Sequence, residues 1–292
     1  MQLFNPRAGI IFMVLAMLVN SSKDGIAKLL AENYTPLSIL LIQFIATSIV
    51  LGPIVIKKYG LISVIPRNPI AQLIRASFVT AGVGLYYWAI NFINIADATA
   101  MIFIAPIIVT ALSPWILGEP LGIRRTIAVI IGFIGVLIIL RPTMDGDRIG
   151  YFIALGSGIF LGAFYIANRK LSDSTPVLSS AFYTSFFGLI YLIPFLPLYW
   201  VKPDLSDATI FLGFTSLATL GQVLMVAAFS FAPANIIAPF QYSQMIGATL
   251  ISYFLFGALP DQWGWVGISV VVGAGIYICL LYTSPSPRDV EE

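Results

Sequence analysis

Few residues of this chain could do acid–base or binding chemistry, and most of those are uncharged. The main exception is Asp24, in VNSSKDGIAK, which lies inside an apolar run, whereas most other acidic residues fall at the ends of such runs. With helical spacing, Asn20, Lys23, Asp24 and Ala27 share one face. Ionisable groups in a membrane are costly and face a bundle interior or a wet cavity. Two readings of Asp24 are open. It forms a polar patch on a solute path, or it pairs with Lys28 at i,i+4 near the outer interface while Lys23 snorkels outward. In the first reading Asp24 is also a candidate for proton coupling, since burial raises a carboxyl pKa and a neighbouring lysine lowers it.

The remaining candidates are amides and aromatics. Tyr86, Tyr87, Trp88 and Asn91 fall in one apolar run, Tyr165 and Asn168 in another, Gln222 in a third, and Gln241, Tyr242 and Gln244 in a fourth. Such groups suit a pocket that binds and then releases an amphipathic solute, with rings that hold a cation or a flat ring system. The competing reading is that the aromatics form interfacial belts and the amides bond between helices. Gln241 and Gln244 favour the pocket, because Pro239 beside them frees a backbone carbonyl. The candidate binding set is therefore Asn20, Lys23, Asp24, Tyr87, Trp88, Asn91, Tyr165, Gln222, Gln241, Tyr242 and Gln244.

These residues must be positioned by membrane-spanning helices. The chain has 292 residues, of which 59% are hydrophobic and only 10% charged, and its mean hydropathy is +0.96. Soluble domains carry about 25% charged residues, so a soluble enzyme, a disordered chain and a nucleic-acid binder are excluded. Apolar runs at 8–30, 36–57, 71–92, 96–117, 125–140, 149–169, 177–199, 208–231, 234–256 and 263–281 predict ten spans. None alternates like a barrel strand. The first run is too long, and too lightly charged at its start, for a typical cleaved signal peptide. Basic residues set the orientation: with the N-terminus in the cytoplasm, Arg7, Lys57, Lys58, Arg67, Arg75, Arg124, Arg125, Arg169 and Lys170 lie on that side, against Lys23, Lys28, Arg141, Arg148 and Lys202. Both termini are thus expected to be cytoplasmic.

The chain has no His and one Cys, Cys279. This excludes an internal disulfide and any His-based metal site or pH switch, and no cofactor or metal is expected. From Cys279 to Asp289 the chain reads CLLYTSPSPRD, like a translated sequencing adapter. Residues 279–292 are therefore expected to be a scar outside the fold.

The chain also repeats itself. At offsets of 139 to 141 residues Gly9 meets Gly150, Lys28 meets Arg169, Thr35-Pro36 meets Thr175-Pro176, Phe92 meets Phe231 and Gly118 meets Gly257. A repeat of five spans has an odd count, so the second copy enters the membrane upside down. Inverted repeats that rock about a midplane site are an arrangement of secondary transporters. The two halves are expected at 1–142 and 149–278. Pro106, Pro114, Pro194 and Pro197 predict kinks, Gly158 and Gly162 predict close packing within the chain, and Asp97 is expected to cap a helix start. Glu119 is expected in a structural ion pair in the turn with Arg124 and Arg125.

The run from Ile95 to Pro142, including IADATAMIFIAP and ILGEPLGIRR, resembles the EamA-type family of the drug/metabolite transporter superfamily. So do the opening GIIFMVLAMLVNSSKDGIAKLLA, and SFAPANIIAPFQY followed by FGALPDQWGWVG in the second half. The resemblance spans nearly all of residues 8–278. It is similar within the family to S-adenosylmethionine uptake transporters. One departure is that Gly118-Glu119 of the first half becomes Gly257-Ala258 in the second, with Asp261 nearby. The resemblance implies ten helices, two inverted repeats and secondary transport of small metabolites or drugs.

The expected function is alternating-access transport of a small metabolite across an inner membrane, with S-adenosylmethionine uptake set against export of amino acids, toxic metabolites or drugs. The partners expected are that solute, the lipid bilayer, and a coupling proton or counter-substrate. The chain is expected to be a monomer or a homodimer and to bind no nucleic acid. A lipid-modifying membrane enzyme would need a cluster of ionisable groups near one interface, and none is present. A channel would favour a continuous polar stripe or charged ring, and no Walker motif is present.

Overall fold

The computed structural model describes residues 5–93, 95–119, 122–142, 147–257 and 260–283, and helices carry most of them, with no strand among them. The helices begin where the sequence places a polar cap before proline. Asn5 precedes α1 (Pro6–Leu30), Thr35 precedes α2 (Pro36–Tyr59) and Asn68 precedes α3 (Pro69–Ala89). Each side chain accepts from a backbone N–H of the first turn, at 3.1, 3.2 and 3.1 Å. Proline at the first helical position loses no bond there.

The run expected as one span at 96–117 is broken. It forms α4 (Ile95–Ile102) and α5 (Ala105–Leu117), with the break just before Pro106. Pro114 stays inside α5. Asp97 lies in the first turn of α4 rather than at its cap, wholly buried, and accepts from the Tyr151 hydroxyl. Next come α6 (Ile123–Leu140), α7 (Arg148–Leu171) and α8 (Val177–Leu192), and at Pro194 a 3-10 turn leads into the short α9 (Leu196–Tyr199). After α10 (Ala208–Phe231) the run expected at 234–256 is broken as well, into α11 (Ala234–Ile237), a 3-10 turn Ala238–Tyr242 containing Pro239, and α12 (Ser243–Phe256). The last helix is α13 (Gln262–Thr283), and residues 284–292 of the expected scar lie outside the described residues.

The helix pairing is unchanged when the two halves are exchanged. α1 packs on α10 as α7 packs on α3, α1 meets α12 as α7 meets α4 and α5, and α2–α8 and α6–α13 pair with each other. The bundle's two ends repeat the pattern. At one end, called here the N-side, the Asn5 N–H donates to the Phe231 carbonyl at 3.0 Å, and at the far side the Asp147 N–H donates to the Phe92 carbonyl at 3.3 Å. Gly118 and Gly257, at φ of 69° and 66°, end α5 and α12 in the left-handed region that glycine enters without penalty. Alanine-sized groups do not fit at Gly158 and Gly162, where α7 presses on Met101, Ile104 and Ile108 at the α4–α5 break. The GxxxG is thus packing within one chain.

The core joins α1, α5, α7, α10 and α11 through Met13, Met17, Val109, Phe164, Phe229 and Ile236. Ile49, Trp115, Leu198, Leu212 and Phe254 stand exposed on the outside. An apolar exterior of this extent marks a surface that meets lipid. Among the described residues, seven helical segments are long and apolar enough to cross a membrane. Arg75 departs from its expected place. It is fully buried, donating to the Ser180 hydroxyl and carbonyl of α8, so it does not face a lipid headgroup and drops out of the orientation argument.

Candidate functional site

The polar face of α1 meets α12 where α1 nears its far-side end. Asp24 lies six residues before that end, roughly 9 Å along the axis. The Ser21 hydroxyl donates to the Gln244 carbonyl at 2.9 Å, docking the two helices. The Gln244 side-chain amide donates to one Asp24 oxygen at 2.8 Å, and the Lys23 ammonium sits 3.1 Å from the other. The Asp24 side chain remains 48% exposed, so the carboxylate keeps an open side despite both partners. Asn20, one turn earlier, lies against Gly221, the neighbour of Gln222, where no Cβ would fit. On α3 the Tyr86 and Tyr87 rings pack edge to face with centroids 5.4 Å apart, and the Tyr86 hydroxyl is 3.2 Å from that of Thr99 on α4. The fold therefore brings Lys23 and Gln244 onto the Asp24 carboxylate, while Asn20, one turn earlier, meets α10 at Gly221.

Other candidates sit deeper. Tyr165 is buried with its ring 5.1 Å from that of Phe229. Gln241 and Tyr242 are buried in the 3-10 turn that interrupts α11 and α12. Gln241 lies three residues before Gln244 and so nearly above it, while the Tyr242 ring turns away to Phe103 and Gly132. Several of these groups lack a hydrogen-bond partner among the described residues: the Gln222 Nε2, the Gln241 Oε1, the Tyr242 hydroxyl and both polar atoms of Asn168. Buried polar groups nearly always have partners, which makes these atoms candidate contacts for water or a solute.

Trp88 and Asn91 are not brought into the cluster. Trp88 is 55% exposed, edge-on to Phe92 with centroids 6.4 Å apart. Asn91 donates back to the carbonyls of Tyr87 and Trp88 at 3.2 and 3.1 Å, closing the end of α3. Sequence reasoning left Ser21 and Tyr86 out of the set. A small hydroxyl carries no spacing signal, so Ser21 is revealed only by the α1–α12 docking and Tyr86 by its contact with Thr99 on α4.

At the N-side, Glu119 reaches across the bundle. It is buried and accepts from the Arg169 Nε of α7 at 3.2 Å and from the N–H groups of Ala234 and Asn235 at 3.0 and 3.3 Å. One carboxylate thereby ties α5 to α7 and α11. Arg125 donates to Asn235 at 3.5 Å in the same region. The second-half equivalent, Ala258, lies outside the described residues. At the far side Arg141, itself at φ 45°, pairs instead with Asp261. That bond and the Gly264 N–H hold the Asp261 carboxyl below the ordinary carboxylate range.

A bundle of apolar helices with two interrupted segments and uncharged amides at its centre is the architecture of a membrane transporter. The EamA-like transporter family model matches residues 7–141 and again 148–281, and the chain belongs to that family. It is a multi-pass membrane transporter, not an enzyme, and its substrate is a small molecule. It is 25% identical to the S-adenosylmethionine uptake transporter of Rickettsia bellii, over 92% of each chain. It is 24% identical to the riboflavin transporter of Vibrio cholerae, over 98% of this chain and 97% of that one. A solved crystal structure superposes with a TM-score of 0.79 at 16% identity, covering 98% of this chain and 99% of the other.

Proposed function

We propose that the chain is a secondary active transporter that moves a small, flat, cation-bearing metabolite across the inner membrane by alternating access. In this reading residues 1–142 and 149–278 form two inverted repeats of five spans each, ten in all, with both termini cytoplasmic. The exchangeable helix pairing and the matched breaks in the two halves support the repeat. Discontinuous helices of this kind line midplane sites in other transporters. The observation that carries the substrate reading is the half-open Asp24 carboxylate, with unpartnered amides deeper in the bundle and the paired Tyr86 and Tyr87 rings on α3. A carboxylate attracts a cation, and phenol faces hold a cation or a flat ring. S-adenosylmethionine combines a sulfonium with adenine, which agrees with the substrate in the name of the Rickettsia relative. The riboflavin named for the Vibrio relative shares the flat ring and lacks the cation, which makes it the discriminating competitor. A coupling proton on Asp24 or a counter-substrate would drive the cycle.

The test is uptake of radiolabelled S-adenosylmethionine by cells expressing the chain, against empty vector. Saturable uptake, competed by S-adenosylhomocysteine more strongly than by riboflavin, is expected. Its absence from folded, membrane-inserted protein would refute the importer reading and direct the search to efflux.

A further inference from the structure

A second polar region lies away from Asp24, at the N-side between the α2–α3 connection and the start of α8. It begins with Arg75, whose guanidinium is wholly buried. Two of its nitrogens donate to the Ser180 hydroxyl and carbonyl, and its Nε has no partner. No carboxylate among the described residues pairs with it. A buried charge without a counter-charge is strongly unfavourable, so the site is electrically incomplete.

The helix that Arg75 touches is incomplete in the same sense. α2 and α8 both follow a Thr-Pro pair. At α2 the Thr35 hydroxyl caps the Ser38 N–H. At α8 the equivalent Thr175 is turned away and accepts from Gln72 at 3.0 Å. The first turn of α8 consequently has no side-chain cap and no acidic residue. Its free N–H groups and the helix dipole leave partial positive charge there. This turn borders a cavity of about 900 Å³ lined by Ile62, Ile65, Arg67, Ser174, Ser179 and Tyr183, among others. Ser179 is buried, and its hydroxyl, near the Tyr183 phenol, has no hydrogen-bond partner of good geometry among the described residues. Arg67 is exposed and no ion pair is formed by it among the described residues. The cavity's one carboxylate, Asp173, faces Arg169 at 4.0 Å.

We infer that this cavity binds a phosphate-type oxyanion, held by the uncapped start of α8, Arg67 and the Ser179 hydroxyl. The anion supplies the counter-charge that Arg75 lacks from behind the same turn. The cavity is larger than a free phosphate needs, and its rim carries exposed Ile62 and Ile65, so a phospholipid headgroup and a soluble phosphate share the recognising chemistry. The site is separate from the Asp24 cluster and stands or falls independently of what the transporter carries.

The test is thermal unfolding of the full chain in maltoside micelles with sodium chloride. Phosphatidylglycerol, diacylglycerol of the same acyl chains, or inorganic phosphate at constant ionic strength is then added. Phosphatidylglycerol is expected to raise the midpoint by roughly 3 °C or more over diacylglycerol, and Arg67→Gln to remove the rise. A rise with inorganic phosphate as well assigns the site to soluble anions; a rise with the lipid alone assigns it to a headgroup. Pro176→Asp places a carboxylate at the exposed cap position of α8, and should abolish the response to either anion while leaving the protein folded. Equal midpoints with diacylglycerol and phosphatidylglycerol and no effect of phosphate would overturn the inference. So would a response that survives both Arg67→Gln and Pro176→Asp.

Discussion

Replacing Glu119 by Gln tests whether this carboxylate holds the N-side ends of α5, α7 and α11 together. The carboxylate makes one ion pair and two bonds to backbone N–H groups, joining three helices. Gln keeps one acceptor but turns an amide donor toward donors, and it removes the charge opposite Arg169. Breaking a buried ion pair costs about 3–5 kcal/mol. Arg169 retains 22% exposure and the Ser172 hydroxyl at 3.2 Å as a second partner, which places this case near the low end, at about 3 kcal/mol. At 1.4 kcal/mol per tenfold, the ratio of closed to open N-side ends should fall by about 100-fold. A cysteine in place of Ser230, buried at the N-side end of α10 four residues before Ala234, in a Cys279→Ala background, reports the opening by its rate of thiol modification in detergent. Glu119→Gln should accelerate that rate by about two orders of magnitude, and Arg169→Gln should do nearly the same. A rate unchanged in both variants would refute the view that this carboxylate closes the N-side.

Asp24→Asn keeps the Gln244 contact and removes the charge, so uptake of a cationic solute should drop at least tenfold while riboflavin competition is unaffected; equal uptake in the variant would remove Asp24 from the path. The Asp261 carboxyl is held below its ordinary range mainly by Arg141. The pair therefore stabilises the folded chain at neutral pH and is lost as pH falls through the lowered value, so wild type and Asp261→Asn should differ in unfolding midpoint at pH 7 and converge in strong acid. Gly158→Leu drives a side chain into Met101 and Ile104 at the α4–α5 break, and should destabilise by at least 1–3 kcal/mol, read as loss of monodisperse protein in size-exclusion chromatography. Asn68→Ala removes one helix cap and should cost about 1 kcal/mol, seen as a lowered midpoint with uptake retained.

The one-dimensional pattern was enough for the membrane class, for the apolar runs to within a few residues, and for the internal repeat. Each depends on neighbours within a few residues or on a run of apolar side chains, and lipid allows few alternatives for the backbone. Helical spacing also put Asn20, Lys23 and Asp24 on one face, because that face is a local property of one helix. What met that face was not legible. Gln244 and Gly221 meet it from about 200 residues or more away, and these meetings were decided by how α1 docks against α10 and α12. The same limit explains the misplaced residues. Trp88 and Asn91 have the chemistry of a binding site, but α3 ends there, so Asn91 closes the helix and Trp88 faces outward. Arg75 reads in sequence like an interfacial cation, and only the packing of α3 on α8 buries it. Glu119 was assigned to its own turn because arginines follow it, whereas the fold brings Arg169 and the start of α11 to it. Charge and hydrogen-bond partners act at about 3 Å in space, and no sequence separation encodes that distance.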